Sequence, residues 1–165
     1  MKLIDIIETD FVNYKVPCMT VMFPYCSFKC NKECNKQVCH NTLLQDSELV
    51  ELDIDEIVQD YYLPNIVTEA IVMQGLEPFD SFNDLKELVK EFSEWCNDDI
   101  VIYTGYKEEE IKDEVKQLCD VVVGNDLIIK FGRFIPNIDA RYDSTLGIIL
   151  RSDNQYAKVV KSSKE

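Results

Sequence analysis

Four cysteines fall within fourteen residues, at Cys26, Cys30, Cys34 and Cys39, and the chain's only histidine, His40, follows directly. Lys29, Lys32 and Lys36 are interleaved with them. Thiolates are the metal-binding form of cysteine, and nearby positive charge favours them. Residues 25–41 therefore read as a metal-ligand loop. Two chemistries fit the loop. A structural zinc site would take Cys26, Cys30, Cys34 and Cys39, or His40 in place of one of them. An iron–sulfur cluster uses the same thiolates and adds electron transfer. The third ligand is open as well: Cys34 gives C-x3-C-x3-C, whereas Cys39 gives the ending Cys39-His40-Asn41.

Composition bounds what such a loop can serve. At 165 residues the chain is expected to form one domain, 1–165, with a core that needs no staples. A net charge of −14 argues against nucleic acid, which demands a basic footprint. No apolar run is long enough to span a bilayer. The first ten residues lack the order of a signal peptide. A cytoplasmic protein is expected, in which seven cysteines signify metal or redox chemistry rather than disulfides. Charge is uneven along the chain. Residues 126–165 carry seven Lys/Arg against five Asp/Glu, Lys130, Arg133, Arg141 and Arg151 among them. This reads as a solvated surface, or as a local site for an anion or acidic partner.

The loop must be positioned by the elements around it. Thr20 to Phe23 is a β-prone run halted by Pro24, hence a strand feeding the cysteines. Leu52 to Leu63 has helical periodicity and stops at Pro64. Ala70 to Met73 suits a buried strand, broken by Gly75-Leu76-Glu77-Pro78. Ser81 and Asp84 suggest a capping box, and Leu85, Leu88, Val89, Phe92 and Trp95 then follow at helical spacing as core. Asp99 to Thr104 predicts a strand and Lys107 to Leu118 a helix. Val121–Val123, Leu127–Phe131 and Thr145–Leu150 predict three more strands. Alternating strands and helices imply an α/β fold with a largely parallel sheet, whose ligands sit at the strands' carboxyl ends. The unusual local sequences fall at those ends. Cys18, Cys96 and Cys119 are scattered and read as core or near-surface thiols.

The order of these motifs resembles the radical S-adenosylmethionine (SAM) superfamily, and within it the activating protein of anaerobic ribonucleoside-triphosphate reductase. Cys26-x3-Cys30 matches the first half of that family's cluster motif and Cys39-His40-Asn41 its end. Gly75-Leu76-Glu77-Pro78 corresponds to its Gly-Gly-Glu/Asp-Pro. Tyr103-Thr104-Gly105-Tyr106 is intact, as are Gly132-Arg133-Phe134 and the closing Ser152-Asp153-Asn154-Gln155. The chain departs from the pattern in three places. Eight residues separate Cys30 from Cys39 instead of two, Leu76 replaces a glycine, and Asn13-Tyr14-Lys15-Val16 stands where a glycine-containing stretch is expected. The resemblance thus points to a divergent subgroup with a lengthened cluster loop.

It implies an incomplete (β/α) barrel and a [4Fe–4S] cluster on Cys26, Cys30 and Cys39, with Cys34 as the alternative third ligand. Val38, Asn41, Gly75, Leu76, Glu77, Pro78, Tyr103, Thr104 and Gly105 would surround SAM, with Val38 packing near its adenine. A low-potential electron would cleave SAM to methionine and a 5′-deoxyadenosyl radical, which takes a hydrogen atom from a glycine of the partner reductase. No side-chain acid or base is required. A flavodoxin-like electron donor is implied, for which Lys29, Lys32 and Lys36 are the docking candidates. Two other readings stand beside this one: a small radical-SAM enzyme acting on a peptide or small molecule, and a non-catalytic zinc or iron–sulfur binding module.

Overall fold

A computed structural model describes residues 1–163. In chain order its strands are Lys2–Leu3 (β1), Asp5–Asp10 (β2), Cys18–Phe23 (β3), Val50–Glu51 (β4), Ala70–Gly75 (β5), Asp99–Tyr103 (β6), Leu127–Phe131 (β7), Arg141–Asp143 (β8), Ile148–Leu150 (β9) and Tyr156–Lys161 (β10). Six of them form the central sheet in the order β10-β7-β6-β5-β3-β2. The four inner strands are parallel, and β2 and β10 close the edges antiparallel. The remaining strands pair off as β1 with β4 and β8 with β9. The sheet is open, with no closed barrel among the described residues. Both edge strands carry charges, such as Asp5 and Glu8 on β2 and Lys158 on β10, which discourage pairing with another chain.

Side-chain alternation on the inner strands separates two faces. Met19, Val21, Phe23, Ile71, Met73, Ile100 and Ile102 point to one face and are fully buried. Three helical segments cover them: Ile54–Glu56 (counted as α2, after the short Lys29–Cys34, α1), Phe82–Trp95 (α3) and Lys112–Val121 (α4). α2 runs on through a wider, π-type stretch, Ile57–Tyr62, that brings Ile57, Val58 and Tyr62 inward. Tyr62 meets Phe92 of α3 edge to face at 4.6 Å. On the opposite face Cys18, Ala70, Val72, Val101 and Ile128 pack against Tyr14, Leu146 and Leu150. Among the described residues, that side is covered by the 11–17 segment and the β8–β9 hairpin.

The expected parallel sheet and its inner strands are present, and several local expectations change. Val121–Val123 is not a strand. Val121 ends α4, and Ser93 Oγ takes both the N–H and the carbonyl of Val123, leaving nothing for a ladder. Thr145–Leu150 shortens to β9, because Asp143 Oδ1 accepts from the N–H groups of Thr145 and Leu146 and builds a turn there. The resulting hairpin is separate from the central sheet, and the sixth strand of that sheet is β10. Trp95, expected in the core, is half-exposed at the end of α3 and donates to Glu91. The Ser81–Asp84 capping box does not form; a 3-10 turn over Pro78–Ser81 precedes α3, and Glu77 caps it. The helix expected from Lys107 begins as a 3-10 turn and becomes α-helical at Lys112. No helix among the described residues is long and apolar enough to cross a membrane.

Candidate iron–sulfur site

Parallel strands deliver their carboxyl ends to one edge of the sheet, and the loops leaving that edge meet. β3 ends at Phe23 and β5 at Gly75. Gly75 has φ +98°, and a Cβ there would lie 2.9 Å from the backbone nitrogen of Phe23. Only glycine permits this approach. It lets Leu76 N–H donate to Phe23 O at 3.0 Å and Glu77 N–H to Tyr25 O at 2.7 Å. The start of the cysteine loop is thereby stitched to the Gly75-Leu76-Glu77-Pro78 turn.

The loop then folds back on itself. Helix α1 begins after Phe28 and ends at Asn35, both with positive φ. Beyond it the chain returns, and Asn31 Oδ1 accepts the N–H groups of Val38 and Cys39 at 2.8 and 2.9 Å. Asn41 Nδ2 donates to Gly75 O at 2.7 Å, and the His40 and Phe134 rings meet at a tilt with centroids 4.4 Å apart. Cys39 is thereby brought close enough to Cys30 to raise its pKa. Cys26, Cys30 and Cys39 line one cavity of about 570 Å³, and Cys34 does not. Among the described residues no three His, Cys, Asp or Glu side chains gather closely enough to share a single ion. The three thiols stand on the wall of that one cavity. Burial pushes the Cys26 thiol up to about 12 and the Cys30 thiol up to about 11, the latter helped by Cys39. Loading such a site releases protons.

Glu77 is the acidic counterpart. It is buried and lines the same cavity. Its Oε1 accepts from Thr104 Oγ1 at 2.8 Å and Phe79 N at 3.2 Å, and its Oε2 from Gly105 N at 2.8 Å. Burial pushes its pKa up to about 7, against the lowering effect of those hydrogen bonds. The Tyr103-Thr104-Gly105 stretch thus holds the carboxylate in place. Tyr103 itself donates to Asn13 O at 2.6 Å, which ties the 11–17 segment to the cavity.

Of the residues expected at the site, Asn41, Leu76, Glu77, Tyr103 and Gly105 line the cavity with the three cysteines. Val38, Gly75, Pro78 and Thr104 stand behind the wall; Val38, Pro78 and Thr104 are buried there, and Gly75 and Thr104 act through the hydrogen bonds just described. Tyr106 and Ile148–Leu150 join the wall without having been expected there, together with Lys130, Arg133 and Phe134. Gly132-Arg133-Phe134 and the mildly basic C-terminal quarter are the sequence signals that point to three of them. The Ser152-Asp153-Asn154-Gln155 stretch braces that loop. Asn154 Nδ2 donates to Arg133 O at 2.7 Å and Gln155 Nε2 to Gly132 O at 3.2 Å.

All seven cysteines are free, with Cys18 buried and Cys96 and Cys119 half-buried away from the cavity. No curated protein and no solved structure matches the chain. A family model described as a 4Fe-4S single cluster domain matches residues 16–144, which include every cysteine of the loop and the strand-end turns that meet around it. With that match over well more than half its length, and three thiols on one cavity wall, the chain belongs to the 4Fe-4S single cluster domain family.

Proposed function

We propose that the chain is a radical SAM activating enzyme. Cys26, Cys30 and Cys39 hold a [4Fe–4S] cluster, SAM lies beside it in the cavity, and a glycyl radical is installed on a partner such as an anaerobic ribonucleotide reductase. The observation that carries this reading is the meeting of three thiols with the buried carboxylate of Glu77 around one cavity. A purely structural metal site has no use for that carboxylate. The open, largely parallel sheet is read as the incomplete barrel of this superfamily.

When bound, the cluster supplies the electron that breaks a carbon–sulfur bond of SAM. The chain's own residues bind and orient. Glu77 is aligned by Thr104 and Gly105 to receive an ammonium group, and a cation in the cavity would hold it ionised. Asn41 and Leu76 form the wall between the cysteine loop and the β5 turn. Tyr103, Phe134 and the β9 residues supply the apolar surface that keeps water from the reacting atoms. Lys32 and Lys36 are exposed on the outer side of the loop, where a flavodoxin-like donor would dock.

Purification without oxygen, reconstitution with iron and sulfide, and addition of dithionite and SAM should yield a brown protein that releases 5′-deoxyadenosine. A colourless zinc protein that releases none would refute the assignment.

A further inference from the structure

Cys26 and Leu76 line two cavities, and so form a wall that the two share. The second cavity has a volume of about 460 Å³, within the roughly 300–1,000 Å³ of ligand pockets. Its charge is the reverse of the first. Lys29, Lys130, Arg133 and Arg151 line the first cavity beside Glu77, whereas the second is lined by a single charged side chain, Asp80. Pro24, Tyr25, Phe28, Leu49 and Leu76 supply its apolar surface. Asp80 accepts from Ser27 N on one oxygen and from Tyr106 Oη on the other. Its carboxylate is thereby fixed in place, with acceptor capacity to spare.

The rim carries both features outward. Gln45, Ser47 and Leu49 line the cavity, and the intervening Asp46 and Glu48 are exposed. Tyr25 and Leu49 are 47% and 41% exposed, so apolar wall stands open to solvent beside carboxylates. No Lys or Arg occurs between Lys36 and Lys86, a stretch that holds eleven Asp/Glu. Such a surface is complementary to a cationic segment with an apolar anchor. The anchor fills the pocket, and flanking Lys or Arg side chains meet the carboxylates. The same charge repels an acidic occupant, and a second copy of this chain carries −14 itself.

We propose that the second cavity docks a basic segment of a partner protein. One large apolar side chain of that segment inserts beside Cys26, and Lys or Arg on either side of it pair with Asp46, Glu48 and Asp80. The site requires neither SAM nor the activity proposed above. Its occupant lies against the wall that carries one of the cluster's cysteines.

Calorimetric titration of the reconstituted protein with the peptide acetyl-Lys-Lys-Phe-Lys-Lys-amide tests the site. Binding should reach one peptide per chain and should weaken as salt is raised. Replacing the Phe by Ala, or the four Lys by Glu, should weaken it at least about ten-fold. Leu49→Ser and the double variant Asp46→Lys/Glu48→Lys should weaken binding of the parent peptide to a similar degree. Asp113→Lys/Asp120→Lys, which reverses two exposed carboxylates on α4, should leave its affinity unchanged. All of these variants alter exposed residues, and cluster absorption at the wild-type level separates loss of docking from loss of fold. A parent peptide that does not bind, or that binds no better than its Ala counterpart, overturns the proposal. So does full affinity in Leu49→Ser or in Asp46→Lys/Glu48→Lys, or an equal loss in the α4 variant. Wild-type protein that sediments as a dimer and excludes the peptide also overturns it, and gives the surface to a second copy of the chain. A protein that docks the peptide but releases no 5′-deoxyadenosine fails the functional reading and keeps this site.

Discussion

Asn31 Oδ1 accepts the backbone N–H of Cys39 at 2.9 Å, from within the helix that carries Cys30. The same oxygen accepts from Val38. Eight residues separate Cys30 from Cys39, and this staple folds the excess into one helical excursion and a return. The third thiol is thereby delivered beside the second. Asn31→Ala removes the acceptor from two N–H groups, at a cost of about 1–3 kcal/mol for each one left without a partner. Iron content after reconstitution should fall, whereas Asn31→Asp, which keeps an acceptor oxygen, should retain more of it. Equal iron content in the two variants would show that the staple does not position Cys39.

Cys34 and Cys39 are distinguished by the wall of the cavity. Cys39 lines it with Cys26 and Cys30, and Cys34 does not. Alanine at Cys26, Cys30 or Cys39 should abolish the visible absorption of a reconstituted cluster. Cys34→Ala should leave absorption and iron content near wild type. The opposite pattern at Cys34 and Cys39 would reassign the third ligand.

Glu77 should make stability depend on pH in a defined window. Burial raises its pKa from 4.5 to about 7. Between those values the folded chain holds a proton that the unfolded chain has released. The contribution of this carboxyl is therefore present in full below about 4.5 and is lost as pH rises through about 7. The loss should reach a few kcal/mol, because each pH unit between the two values is worth roughly 1.4 kcal/mol. Urea midpoints of the cluster-free protein at about pH 5 and about pH 7.5, which bracket most of that window, should show a fall that Glu77→Gln lacks. An identical slope in wild type and variant would mean that Glu77 ionises at an ordinary value.

Gly75 and Gly105 should respond differently to alanine, although both belong to strand-end turns. A Cβ at Gly75 meets the Phe23 nitrogen at 2.9 Å and the Met22 Cα at 3.0 Å, and its φ is +98°. A Cβ at Gly105 meets nothing closer than Glu77 Oε2 at 3.5 Å, an ordinary contact. Gly75→Ala should cost at least about 1–3 kcal/mol in chemical denaturation and weaken the Asn41 anchor on Gly75 O. Gly105→Ala should unfold close to wild type. A Gly75→Ala protein as stable as the wild type would show that the turn can relax away from β3.

Much of this architecture is local and is legible along the chain. Apolar runs such as Ala70–Met73 and Leu127–Ile129 have to be buried on both faces, and they lie in inner parallel strands. Leu85, Leu88, Val89 and Phe92 at helical spacing form the buried stripe of α3. The dense cysteines announce a metal loop by their types alone. Residue types and their periodicity thus suffice for the inner sheet, the helices that follow its strands and the chemistry available at its ends.

The rest depends on partners distant in the chain. Val123 leaves the strand pattern because Ser93, thirty residues earlier, captures both of its backbone groups. Trp95 has the spacing of a core residue, but α3 ends there and leaves it at the surface. Only β9 forms where the longer strand Thr145–Leu150 was expected, because Asp143 turns the chain there, and β8 and β10 lie on either side of it. Periodicity specifies which face of an element is apolar. It does not specify what lies against the element's end, nor which acceptor reaches a given N–H. The resemblance favours Cys39 over Cys34 as third ligand, and the folded chain places Cys39, but not Cys34, on one cavity wall with Cys26 and Cys30. Packing between distant segments likewise buries the guanidinium of Arg133 against that cavity and leaves its Nη1 without a partner among the described residues.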